Sequence, residues 1–113
     1  MVRLPTDLLD GKSYAVYIWY RFSTVEANEA RLYCFARPLK TGETPGTLDT
    51  SYVDVTADST TLRKTMLRSA AYTYDDEFLQ LYVGRSGSSG SDDFTGSVYL
   101  YGIEVIINYT LGY

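Results

Sequence analysis

The stretch Tyr14-Ala15-Val16-Tyr17-Ile18-Trp19-Tyr20-Arg21-Phe22-Ser23 decides the fold of this chain. It alternates with a period of two. One set of positions reads Tyr14, Val16, Ile18, Tyr20 and Phe22; the other reads Ala15, Tyr17, Trp19 and Arg21. A β-strand sends successive side chains to opposite sides, so the first, more continuous set is expected to face a core and the second to face away. Aromatic and β-branched residues dominate both sets, as suits a pleated, half-buried surface.

The same pattern recurs outward from this strand. Arg31–Arg37 (RLYCFAR) reads as a second strand with Leu32, Cys34 and Ala36 inward and Tyr33 and Phe35 outward. Between the two strands, Val25–Ala30 reads as a turn. Pro38–Ser51 contains Pro38, Gly42, Pro45 and Gly46 and is expected to be a loop. Tyr52–Ala57 reads as a short strand with Val53, Val55 and Ala57 inward. Residues 58–71 admit two readings. Asp58 could cap a helix carrying Leu62, Met66 and Ala70 on one side, whereas a strand over Thr61–Ser69 shows no clean apolar face. The strand is preferred because its neighbours are strands.

Tyr74-Asp75-Asp76-Glu77 reads as a turn, and Phe78–Arg85 (FLQLYVGR) as a strand with Leu79, Leu81 and Val83 on one side. Residues 86–95 begin with a Gly/Ser-rich run and are expected to form a flexible loop. The final strand, Gly96–Thr110, poses a problem of parity. A plain period of two separates Val98 and Leu100 from Ile103, Val105 and Ile107, and a bulge at Gly102 would bring all five to one side. That bulge is predicted, with Tyr99, Tyr101 and Glu104 on the outer face. Short strands with turn signals about every ten residues suggest an all-β, antiparallel β-sandwich, with a jelly roll as its expected topology. The expectation is one domain over 1–113, with 1–13 as an N-terminal arm.

Composition narrows the function. The chain of 113 residues has no histidine, one cysteine and twelve tyrosines, and its formal net charge is −4. Without histidine it lacks the commonest general base and metal ligand. The serines at 86, 88, 89 and 91 have no visible base, so no catalytic residues are assigned and no enzyme is expected. A lone Cys34 in an apolar strand reads as a small buried hydrophobe that cannot form an internal disulfide. The acidic balance argues against nucleic acid. No apolar run approaches membrane-spanning length, and the first residues lack the core of a signal peptide, so the chain is expected to fold in a cytoplasm.

Asp75-Asp76-Glu77 and Asp92-Asp93 could offer oxygen ligands to Ca²⁺, but turn residues on a solvated end are the simpler reading. Neither a metal nor any other cofactor is assigned. Asn108-Tyr109-Thr110 matches a glycosylation sequon within a strand and is read as accidental. The informative feature is the outward set Tyr17, Trp19, Tyr33, Phe35, Tyr99 and Tyr101. These are the candidates for a subunit interface or for stacking on sugar rings, provided that the strand parities hold.

Three stretches also carry a family resemblance. Gly11–Arg21 (GKSYAVYIWYR) resembles an early strand of galactose-binding-like jelly rolls, where carbohydrate-binding modules show a pattern like "YTVSFWYR". Phe78–Arg85 resembles their penultimate strand, and Thr95–Val105 (TGSVYLYGIEV) their closing "GTVYFDDVEL" strand. The chain departs from them in a shortened N-terminal segment. Tyr101 or Gly102 also stands where the closing strand often carries a calcium-binding Asp. Small, cysteine-poor jelly rolls of this kind also resemble head decoration (cement) proteins of tailed phages. That resemblance implies a non-catalytic virion protein made in the host cytoplasm. Its expected partners are copies of itself, with a trimer favoured, and a major capsid protein. The alternative is a carbohydrate-binding module or receptor-binding domain, with a glycan as partner.

Overall fold

In a computed structural model, which describes residues 1–4, 9–42, 44–72 and 78–111, the decisive stretch lies within strand β2 (Leu9–Phe22). Its inward set behaves as the alternation requires: Tyr14, Val16, Ile18, Tyr20 and Phe22 are all at most 1% exposed. The remaining strands are β1 (Val2–Arg3), β3 (Glu29–Leu39), β4 (Asp49–Thr56), β5 (Arg63–Ala71), β6 (Phe78–Arg85) and β7 (Val98–Leu111). The protein is all-β, and no helix occurs among the described residues.

The strands form two sheets, one in the order β1-β6-β3-β4 and one in the order β5-β2-β7, with every pairing antiparallel. The sheets face each other as in a sandwich. Leu32, Cys34, Ala36 and Leu79 from the first sheet share one core with the inward side chains of β2. The pairings are nested, since β2 pairs with β7 and, inside that pair, β3 pairs with β6.

β5 is a strand, and its lack of a clean apolar face has a physical explanation. Arg68 pairs with Val16 and Met66 with Tyr17, so Leu67 is an extra residue in the ladder. This bulge sends Leu67 into the core at 4% exposure. Among the other core-side positions of β5, Ala70 packs against the core, and the rest are polar and satisfied. Thr65 hydrogen-bonds the Tyr20 hydroxyl at 2.8 Å, and Arg68 donates to the Tyr14 hydroxyl at 2.9 Å. Arg68 also reaches across to Ser51 and Asp49 of β4, and Arg63 reaches the carbonyl of Thr56 and the carboxylate of Asp58.

The predicted bulge in the last strand is present. Trp19 pairs with Gly102 and Tyr20 with Leu100, which leaves Tyr101 extra. Gly102 does not have a positive φ, so glycine's left-handed freedom is not what makes the bulge.

Several boundaries differ: β3 begins at Glu29 inside the expected turn, and β4 begins at Asp49 inside the expected loop. β3 runs on through Pro38 to Leu39, into the segment expected to be a loop. Pairing with β4 ends at Ala36 opposite Asp49, so Pro38 sits where β4 no longer lies beside the strand. Strand β1 and the start of β2 also occupy part of the segment read as an arm. The turn expected at Tyr74–Glu77 lies outside the described residues.

Candidate functional site

The parity expected for the aromatic candidates holds. Tyr17, Trp19, Tyr33 and Phe35 are half-buried on outer faces, and Tyr99 and Tyr101 are exposed. They do not form one band, however. Tyr33 and Phe35 belong to one sheet, and the other four to the opposite sheet, so the core separates the two groups.

On the β3 side, Tyr33 and Phe35 stack at 4.7 Å, and Tyr52 of β4 meets Phe35 edge-on at 5.9 Å. Tyr82 of β6 stands opposite Phe35 in the ladder. Gly84 makes room for this arrangement, because a Cβ there would lie 2.8 Å from the Tyr33 hydroxyl and 3.0 Å from its ring. The platform has a polar rim: Arg31 pairs with Asp54 at 2.9 Å, and Arg37 donates to Gln80, which donates to the Tyr82 hydroxyl at 3.0 Å. Sequence reading omitted Tyr52 and Tyr82. The signal was available, since both alternate with inward residues of strands already assigned.

On the β2 side the polar tips are committed. The Trp19 indole N–H donates to Glu104 at 3.2 Å, and Lys64 donates to the same carboxylate at 3.0 Å. These two hydrogen bonds hold the Glu104 carboxyl below its usual range. Lys64 lies 4.5 Å from the Tyr17 ring centroid, and Arg21 lies 4.5 Å over Tyr99 while donating to the Tyr101 hydroxyl at 2.7 Å.

The third surface is the edge of β7, which has no strand on its outer side among the described residues. Leu100 and Ile103 are 48% and 53% exposed, and with Ile18, Val83, Tyr101 and Gly102 they line an open apolar pocket of about 290 Å³. The bulge turned these residues toward the core side as expected. The sheet opposite ends in β1, which is two residues long, so it gives them little cover. Exposure here was not legible in the sequence, because it depends on the reach of the facing sheet.

The carboxylates at Asp92-Asp93 are structural anchors. The Asp92 side chain is 1% exposed and accepts both Arg85 Nε and Nη2, at 2.8 and 2.6 Å, together with the Arg31 backbone N–H at 2.9 Å. The Arg85 guanidinium is the largest reason that the Asp92 carboxyl lies below its ordinary range. Asp93 accepts the backbone N–H of Glu29. The Gly/Ser segment is thus tied to β3 and β6 at its far end. The carboxyl of Glu26 accepts the hydroxyl and backbone N–H of Thr95, which pins the loop after β2 to the same region. No cluster of three or more potential metal ligands occurs among the described residues, and Asp75-Asp76-Glu77 lies outside them.

Comparison with protein families, with curated proteins and with solved structures finds no significant match to this chain.

Proposed function

We propose that this protein is a non-catalytic structural component of a virion that works as a homo-oligomer, in the manner of a capsid decoration protein. The observation that carries its assembly role is the exposed apolar run on β7. Tyr99, Leu100, Tyr101 and Ile103 are each between 44% and 58% exposed within a few residues. A patch of this kind, continuous with a pocket into the core, is expected to be covered in a working assembly. The nested pairing of β2–β7 around β3–β6 supports the finer reading of the fold as a jelly roll. The virion context rests on the resemblance of the strand patterns, which also implies a trimer and a major capsid protein as the second partner.

Sedimentation velocity at micromolar concentration tests the reading. A concentration-dependent species heavier than one chain is expected, and its mass separates a dimer from a trimer. A monomer throughout the range contradicts it.

A second reading has its own observation. Tyr33, Phe35, Tyr52 and Tyr82 with the Arg37–Gln80 rim suit the stacking of a sugar ring on aromatic faces flanked by hydrogen-bonding groups. Retention on polysaccharide that Tyr82→Ala abolishes would favour it.

A further inference from the structure

We infer that β7 is a self-pairing edge: two copies of this chain join antiparallel through residues 102–108 across a two-fold axis near Val105. The inference rests on the assembly reading above and specifies where and how the copies meet.

The other edge strands are each short or charged, although β1 covers only Phe78 and Leu79 of β6. β1 is two residues long. β4 carries Asp49 and Asp54, both engaged by arginines. β5 carries Arg63, Lys64 and Arg68, with Arg63 and Arg68 directed to the core side. Short length and charges, inward-pointing ones above all, are the devices by which edges avoid pairing with other chains. β7 has the least of them: it is 14 residues long, contains no Lys, Arg or Pro, and carries a single charge, Glu104. Among the described residues nothing pairs with its outer side. Between the bulge at Tyr101 and a second irregularity beyond Asn108, the ladder from Gly102 to Asn108 is regular against β2.

A second copy is the occupant that this edge fits. The chain is acidic overall, yet β7 meets its copy with a neutralised strand, so like-charge repulsion is least there. An antiparallel pair places residues of the same face side by side. With Val105 nearest the axis, Ile103 of one copy stands opposite Ile107 of the other on the core side, and Glu104 opposite Ile106 on the outer side. Ile103, which lines the open pocket, is then covered at this interface. An axis at Glu104 is excluded because it would oppose two carboxylates. The contact is isologous, so it closes at two copies, and this edge gives a dimer in place of the trimer that the family resemblance implies. Gly102 also fits, since a Cβ there would meet nothing within 4 Å in the single chain.

The test uses the full chain. Sedimentation equilibrium is run on the unaltered protein and on Ile103→Lys, with circular dichroism as the check of folding. In parallel, Gly102→Cys and Asn108→Cys variants are mixed and oxidised. The expected results are a dimer, an increase of about tenfold or more in the dissociation constant for Ile103→Lys, and a 102–108 cross-link formed only in the mixture. Self-association that survives Ile103→Lys unchanged, with no cross-link, overturns the β7 edge and leaves the assembly reading standing. A monomeric unaltered protein overturns both. Should Ile103→Lys fail to fold, the cross-link alone decides.

Discussion

At the residue scale, Arg85 and Asp92 form a bidentate pair whose carboxylate is withdrawn from solvent. Removing one partner of such a pair leaves the other charged group without its counterpart. Asp92→Ala is therefore expected to cost about 2–4 kcal/mol, read as a fall in the urea midpoint. The same group sets the acid limit. Its folded carboxyl is lowered chiefly by Arg85. Its stabilisation is complete above the unfolded value of about 3.9 and is lost as pH falls through the folded value. Asp54 and Glu104, also lowered by hydrogen bonds to Arg31 and to Lys64, act in the same direction. With no histidine in the chain, the urea midpoint is expected to hold between about pH 6 and 7.5 and to fall below about pH 4. Cys34 gives a further check. It is fully buried, and burial pushes its thiol up. A thiol reagent is expected to label it only after denaturant is added, with rapid labelling of the native protein as the contrary result.

At the element scale, β2 was the most legible part of the chain, because strict alternation over ten residues leaves one side fit for a core. β3, β4 and β6 followed from the same rule. β5 resisted because its core side mixes Leu67 and Ala70 with Arg63, Thr65 and Arg68, and Thr65 and Arg68 are satisfied by partners distant in sequence. Alternation cannot reveal such partners. The aromatic candidates were legible residue by residue, but their division between two faces was not, since it depends on which strands share a sheet. Gly84 offers a test of one face. Its missing Cβ lets Tyr33 lie across the strand, so Gly84→Val is expected to displace the Tyr33 ring from Phe35. An NMR comparison should show ring-current shifts of Phe35 and Tyr52 changing while core methyl resonances stay in place. An undisturbed Tyr33 would show that Gly84 is not what seats the platform.

At the scale of the whole molecule, the sandwich is long and thin. Its extents are 50 × 28 × 18 Å and its radius of gyration is 16.1 Å, against about 13 Å for a rounded domain of this length. A slab of this shape leaves one long strand at an edge with core-side residues showing beside it. Association should thus have a particular signature. It is expected to survive added salt, because the β7 surface is apolar and its one charge is already paired, whereas an interface built on opposite charges would weaken as salt screens it. Assembly of this domain through its own surface is the property on which the rest depends. Sedimentation velocity of the unaltered chain, from low to high micromolar concentration and at two salt concentrations, tests it most directly. A dimer that grows with concentration and is indifferent to salt is expected; a monomer at every concentration would rule out such assembly.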